Sequence, residues 1–145
     1  FMAKAELFDV PLLGRLIRAL GAYPVRRGAS DREAIRTATA TLEAGWATGV
    51  FLDGTRQANG RVNAPLPGAA LLAARSGAPL LPVAILNSHR ALGSRQFWPR
   101  LVPIQLRIGT PIPPPVSRRR ADLDATTALL QERINALLDQ GLQHP

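Results

Sequence analysis

The sequence predicts an α/β fold in which a central mixed sheet is flanked by helices. Amphipathic helical segments alternate with short apolar segments of strand length along the whole chain. The chain has 145 residues, of which 46% are hydrophobic and 19% charged. That composition is globular, and the length suffices for a buried core. We therefore expect a single domain over residues 1–145.

In the first part of the chain, residues 11–20 have helical periodicity, with a proline near the start. Residues 22–26 then predict a short strand. Ser30-Asp31-Arg32-Glu33 is a capping-box pattern that opens a helix to about residue 44, and Gly45 suits the position after its end. The apolar side of the first helix consists of Leu12, Leu13, Leu16, Ile17 and Leu20.

The middle of the chain begins with a short apolar strand, residues 50–52, that runs into a polar turn. Residues 57–67 are rich in Gly, Asn and Pro and predict an exposed loop. An Ala/Leu helix over residues 68–76 should end at Gly77. Residues 79–86 are almost wholly apolar, as in a strand that is covered on both faces.

The last part contains a strand over residues 102–108, a proline break at residues 113–115 and an amphipathic helix over about residues 122–142. Its apolar side should consist of Leu123, Leu129, Leu130, Ile134, Leu137 and Leu138. The sequence thus continues the alternation of strand and helix to its end.

Charge and composition limit the chemistry. The chain has 18 basic against 10 acidic residues, a formal net charge of +8, and Lys4 is its one lysine. Such a surplus attracts phosphate-bearing partners, although an arginine- and alanine-rich composition explains part of it. The chain has no cysteine, and neither His89 nor His144 has a carboxylate cluster beside it, so we expect no metal site. No apolar run reaches the 18 residues of a membrane span.

Three segments carry the candidate motifs: Gly21–Gly28 and Gly49–Arg56 bring polar residues to the ends of apolar strands, and Ala78–Ile85 is an apolar strand with two prolines. In Gly49–Arg56 a glycine turn presents a carboxylate, a hydroxyl and a guanidinium together, and a guanidinium suits phosphate oxygens. The two prolines of Ala78–Ile85 have no backbone N–H to donate to a neighbouring strand, which is typical of an edge strand. Each segment taken alone is ordinary for an α/β protein.

Together, in order and spacing, the segments resemble the motifs of the glycerolipid acyltransferases. That family has K-x-E-L, a helix, G-x-x-x-V-x-R, a helix, F-P-E-G-T-R, a helix and a V-P-I-V-P-V-type strand. The counterparts here are Lys4–Leu7, Gly21–Arg27, Phe51–Arg56 and Ala78–Val83. The resemblance covers residues 1 to about 86 and implies a glycerolipid acyltransferase-like fold.

The resemblance also implies roles for individual residues. Lys4 and Arg56 would bind the phosphate of a glycerol-phosphate acceptor, and Arg27 would support the same pocket. Gly54 and Thr55 would shape the turn. The same residues allow a plainer interpretation for Lys4, as a surface lysine, and for Arg27, as a charge at a strand end.

Two departures from the family pattern stand out. Leu52 and Asp53 replace the usual Pro and Glu. An acid in this turn can hold the neighbouring arginine in place. Asp53 has a shorter side chain than Glu, so its partner must sit closer or be reached through water. The family's His-x4-Asp motif, which supplies the catalytic base, has no counterpart, because neither histidine has an aspartate five positions later. We therefore assign no catalytic residue. We expect the domain to be incomplete at its N-terminus and these 145 residues to be inactive alone.

The expected reaction of the family is transfer of a fatty acyl group from an acyl thioester to the free hydroxyl of lysophosphatidate. The resemblance implies acyl-CoA or acyl-carrier protein as donor, no cofactor, and a location at the cytoplasmic face of a membrane. The helix at residues 11–20 either contacts that membrane or packs on the sheet. Alternatives are another lysolipid acceptor, a non-catalytic lipid-binding relative and, last, nucleic-acid binding, for which no recognition motif is visible.

Overall fold

The structure, a computed structural model, describes residues 1–25, 32–53, 57, 59–91 and 100–143. The chain divides into two compact units, Phe1–Phe51 and Leu52–Pro145. Strands and helices alternate in both units, which confirms the predicted α/β class. Both parallel and antiparallel pairing occur, in two separate two-stranded sheets among the described residues.

The first unit is built on a parallel strand pair. Strand β1 pairs with β2 so that Lys4 lies opposite Val25. A single 3-10 turn, Ala5–Phe8, leads from β1 into the first helix. The elements in order are β1 (Met2–Lys4), α1 (Pro11–Ala19), β2 (Tyr23–Val25) and α2 (Arg32–Glu43).

Helix α1 confirms the prediction for residues 11–20 and is held close to the 3-10 turn at Gly14. A Cβ atom at Gly14 would lie 2.4 Å from the carbonyl oxygen of Phe8, so a glycine is required there. The leucines at positions 12, 16 and 20 are exposed instead of buried. The amphipathic pattern therefore predicted the helix correctly, but its leucine stripe faces away from the core of the unit.

Helix α2 packs against β2 with its alanine face, where Ala34 and Ala38 are buried. Gly45 follows the helix with a φ of 81°, a left-handed conformation that favours glycine and that matches the predicted helix end. Of the predicted capping box, Ser30 and Asp31 lie outside the described residues.

The second unit has an antiparallel strand pair covered by a long helix. Strands β3 and β4 pair so that Ala84 lies opposite Arg107, and α5 packs against β3, β4 and α3. The core includes Ala84, Leu86 and Leu130. The elements in order are α3 (Gly68–Ser76), β3 (Val83–Leu86), the one-turn α4 (Ser88–Ala91), β4 (Gln105–Ile108) and α5 (Arg120–Gln143).

Three strand predictions differ from the structure, and the strand predicted over residues 102–108 begins only at Gln105. Residues 50–52 form no strand, because the backbone there turns to its own loop: Leu52 accepts a hydrogen bond from Leu66 N–H, and Asp53 forms an isolated bridge with Pro65. The strand predicted over 79–86 begins only at Val83, after the prolines. It is also covered on one face only, since its residues alternate between exposed and buried.

Candidate phosphate-binding site

Lys4 ends strand β1 and lies at the carboxyl edge of the parallel strand pair, opposite Val25. Its ammonium forms an ion pair with Glu6, with 2.9 Å between Nζ and Oε1, and its side chain is 43% exposed. An exposed ion pair of this kind is weak. The lysine is therefore accessible, and an incoming anion has to outcompete only a solvent-screened carboxylate.

The next predicted group, Arg27, follows β2 by two residues in the sequence. It lies outside the described residues, as do Gly54, Thr55 and Arg56 of the third motif. The structure describes Lys4 and Asp53 among the predicted site residues, one in each unit.

Asp53 closes the loop that follows the third motif. Its carboxylate accepts two backbone hydrogen bonds, from Asn63 N–H to Oδ2 and from Ala64 N–H to Oδ1, both 3.1 Å long. Directly beside it, Leu66 N–H donates to the Leu52 carbonyl at 2.8 Å. These three bonds form a neck that joins Leu52 and Asp53 to the loop residues Asn63, Ala64 and Leu66.

Short polar side chains organise the far side of this loop. The Asn63 amide donates to Gln57 Oε1 at 3.1 Å and to Asn59 Oδ1 at 3.0 Å. The same Asn59 oxygen accepts the Arg61 N–H at 3.1 Å. Residues of this type satisfy nearby backbone groups where no ladder is present. The loop thus has defined internal contacts, and the prediction of a simple exposed connection understates its order.

Helix α5 binds the loop from outside through a polar ladder, defined as Gln131, Asn135 and Asp139. Asn135 donates to the Val62 carbonyl at 3.0 Å and accepts the Val62 N–H at 3.1 Å. Gln131 donates to the same carbonyl at 3.0 Å. Asp139 accepts both terminal nitrogens of Arg61 in a bidentate pair. Their spacing of four residues puts the three ladder side chains on one helix face.

The Arg61–Asp139 pair shifts the pKa of both of its members. The guanidinium lowers the pKa of Asp139, and the carboxylate raises the pKa of Arg61. Direct hydrogen bonding is the main cause on both sides. Solvent screens the pair, so its importance lies in its fixed bidentate geometry.

Sequence reasoning missed the ladder and its partner residues. A signal was available, since Gln131, Asn135 and Asp139 recur at intervals of four, but polar residues at this spacing are ordinary on a solvated helix face. Pro82, the second proline of Ala78–Ile85, is buried, and its carbonyl accepts a hydrogen bond from Gly109 N–H at 2.9 Å. That arrangement gives it a place in the packing of the second unit.

A groove lies apart from the described site residues. An open groove of about 590 Å³ runs along α2 and ends at Trp46, and neither Lys4 nor Asp53 lines it. Within the described residues, no three His, Cys, Asp or Glu side chains converge as ligands for a metal ion. In the same part of the chain, no helix combines the length and apolar character needed to cross a bilayer.

Comparison with known proteins identifies the family. The family model described as Acyltransferase matches residues 1–86. A 1-acyl-sn-glycerol-3-phosphate acyltransferase of Bacillus subtilis is 35% identical over 85 residues, covering 58% of this chain and 41% of that protein. One of Limnanthes alba is 32% identical over 117 residues, 77% and 41% of the two chains. A chloroplastic one of Brassica napus is 24% identical over 94 residues, 63% and 27%.

The fold has a counterpart among solved structures. The crystal structure of a 1-acyl-sn-glycerophosphate acyltransferase from Thermotoga maritima matches all of this chain and 57% of its own, with a TM-score of 0.75 and 24% identity. This confirms the predicted acyltransferase-like fold, including β4 and α5, where no motif had been visible. The chain spans between about a quarter and two-fifths of the curated relatives it matches. With more than half of its residues matched by the family model, the chain belongs to the acyltransferase family and resembles its 1-acyl-sn-glycerol-3-phosphate acyltransferases.

Proposed function

We propose that this chain supplies the acceptor-binding part of an enzyme that acylates lysophosphatidate to phosphatidate. The observation that carries the proposal is the family match over residues 1–86, which includes every motif segment from Lys4 to Pro82. The names of the relatives support a 1-acylglycerol 3-phosphate as acceptor. Their 24–35% identity leaves the acceptor a matter for experiment.

The phosphate would be held by Lys4 and Arg56, with Arg27 in support. Lys4 supports this role by its position, because it ends a strand, is accessible and is held only by a weak ion pair. A guanidinium adds paired donors in fixed geometry. The Asp53 carboxylate accepts hydrogen bonds from two loop N–H groups, which supports a role for Asp53 in holding the third motif segment in place.

In the proposed reaction the acceptor hydroxyl oxygen attacks the carbonyl carbon of an acyl thioester. The new C–O ester bond forms, the C–S bond breaks, the hydroxyl proton passes to a general base and the thiol leaves. The donor would be acyl-CoA or acyl-carrier protein. None of the site residues of this chain is a base for that proton. Their contribution is to fix the phosphate and thereby the position of the hydroxyl.

Binding of the acceptor tests the proposal directly. The chain should bind lysophosphatidate in neutral micelles about tenfold more tightly than monoacylglycerol of the same acyl chain, since charge-assisted bonds to phosphate would supply the difference. Arg56→Ala should remove the preference. Arg133→Ala, which deletes the same charge from an exposed position on α5, should retain it. Equal affinity of the unsubstituted chain for both lipids would reject the proposal.

We further propose that helix α1 contacts the membrane surface from which the acceptor is taken. Its exposed stripe consists of leucines, with 83% exposure at Leu12, 56% at Leu16 and 63% at Leu20. The charged residues of the helix are Arg15 and Arg18, both exposed, and the Arg18 guanidinium lies 5.2 Å from the centre of the Phe8 ring. An exposed leucine stripe on a helix whose charged residues are all arginines suits an anionic lipid interface.

Vesicle binding distinguishes this surface from an interface between proteins. The double substitution Leu12→Gln and Leu16→Gln should lower partitioning onto phosphatidylglycerol-containing vesicles by roughly tenfold or more, because each leucine withdraws apolar area from water. Leu101→Gln, at an exposed leucine of the other unit, serves as control. If the double substitution leaves partitioning unchanged, or if it acts by dissociating a dimer, the membrane assignment is wrong.

A non-catalytic lipid-binding role is the second candidate, favoured by the absence of a His-x4-Asp pair from these residues. Both candidates predict the same phosphate preference. They differ in turnover: a protein that combines these residues with a His-x4-Asp pair should transfer acyl groups under the first candidate and should not under the second.

A further inference from the structure

Resting on the proposed function, we propose that helix α5 is a positioning device for Asp53, the predicted site residue of the third motif that the structure describes. The ladder of Gln131, Asn135 and Asp139 holds the outer side of the loop, and Asp53 closes its inner side. The turn that carries Arg56 lies in sequence between Asp53 and the first ladder-bound residue, Arg61. The positioning residues thus come from a part of the chain that contains no family motif.

The first step is the hydrogen bonding of α5 side chains to the loop backbone. Asn135 engages both the N–H and the C=O of Val62, as a neighbouring strand would, and Gln131 adds a second donor to the carbonyl. The contact spans 73 residues of sequence. Because it is made to main-chain atoms, it fixes the path of the loop whatever side chains the loop carries.

The second step is the ion pair next to it. Arg61 and Asp139 are linked by two parallel hydrogen bonds, and their side chains are 37% and 51% exposed. A bidentate pair fixes orientation as well as distance. Val62 and its neighbour Arg61 are therefore held at adjacent turns of one rigid helix, which prevents the loop from sliding along α5.

The third step transmits this order to the motif. The next residues after Val62, Asn63 and Ala64, donate their N–H groups to the two oxygens of Asp53. A carboxylate bound at both oxygens cannot rotate freely. Asp53 is covalently followed by Gly54, Thr55 and Arg56, so the ladder restrains the point at which the phosphate-binding turn begins.

Hydrogen exchange tests the link without any ligand. In Asn135→Leu, the amides of Asn63 and Ala64 should exchange at least about tenfold faster, since the loss of two hydrogen bonds loosens the loop. Glu132→Leu, an exposed position on the same helix, should leave them unchanged. Unchanged exchange in Asn135→Leu would overturn the inference, because the ladder would then not control the neck.

Charge reversal tests the effect on binding. Arg61→Asp should weaken lysophosphatidate binding about fivefold to tenfold and leave monoacylglycerol binding unchanged. Arg61→Asp combined with Asp139→Arg should restore the affinity for lysophosphatidate. Arg133→Asp makes the same change in net charge as Arg61→Asp and should lower that affinity less. Restoration separates positioning from a general charge effect, and urea unfolding midpoints check that each variant is folded.

Two failures are distinguishable. If the unsubstituted chain shows no preference for the phosphate lipid, the proposed function fails and this inference fails with it. If the preference is present but Arg61→Asp retains it, or the double reversal does not restore it, the proposed function stands and the positioning role of α5 is rejected.

Discussion

The contact between α1 and the 3-10 turn yields a stability prediction that depends on one atom. In most helix interiors, replacing glycine with alanine stabilises by up to about 1 kcal/mol. At position 14 the new Cβ would meet the Phe8 carbonyl oxygen at 2.4 Å and its carbon at 3.0 Å. These are backbone atoms, which cannot rotate away as a side chain could.

The expected magnitude follows from these two opposed effects. Overpacking costs about 1 to 3 kcal/mol, and a backbone clash belongs at or above the upper end. Subtracting the helix gain, we expect Gly14→Ala to destabilise the chain by about 2 kcal/mol. Since the 3-10 turn follows Lys4 directly, relief of the clash would also displace the predicted phosphate ligand.

Urea unfolding followed by far-ultraviolet circular dichroism measures the effect. With a typical dependence of 1 to 3 kcal/mol per molar urea, the midpoint should fall by about 1 M. Gly68→Ala is the matched control, because a Cβ at this first residue of α3 has no atom within 4 Å. The urea midpoint of Gly68→Ala should equal or slightly exceed that of the unsubstituted chain. A midpoint for Gly14→Ala at or above that of the unsubstituted chain would refute the reasoning.

Two further predictions concern the second unit. Leu130→Ala, at a core position that is 4% exposed, should lower the free energy of unfolding by about 2 to 5 kcal/mol in the same assay. Leu101→Ala, at a fully exposed position, should change it by less than about 0.5 kcal/mol. Equal effects would contradict the packing described. Because the pKa of Asp139 is lowered in the folded chain, its contribution is present above the unfolded pKa and is lost as the pH falls through the folded value. The amide resonance of Val62 should therefore shift on acidification below about pH 4, and Arg61→Gln should move that midpoint upward; an unmoved midpoint would show that the pair does not form in solution.

The helices were the part of the fold best predicted from sequence. Periodicity and glycine stops gave residues 11–20 and 68–76, and the structure has Pro11–Ala19 and Gly68–Ser76. Such signals are local, because each residue in a helix is bonded within one turn. The strands were predicted less well, since pairing depends on partners far along the chain. Residues 50–52 look like a strand by composition, but the Leu52 carbonyl accepts the Leu66 N–H of the following loop and Asp53 bridges to Pro65.

The candidate site shows the same division between local and long-range information. The family motifs identified Lys4 and Asp53 as site residues, but not what each contacts. Sequence placed the Asp53 carboxylate near an arginine, and the structure shows it binding backbone N–H groups ten and eleven residues away. The spacing of the polar ladder was visible but did not stand out, because hydrogen-bonding residues on a helix surface usually face water.

The central claim, that this chain carries the phosphate-binding half of a glycerolipid acyltransferase, is most directly tested by one competition measurement. Lysophosphatidate bound to the chain in neutral micelles is displaced with glycerol 3-phosphate or with glycerol. We predict that glycerol 3-phosphate displaces the bound lysophosphatidate and that glycerol does not. In Arg56→Ala the two compounds should not differ. Equal displacement by both compounds, or selectivity that survives the removal of Arg56, would contradict the claim.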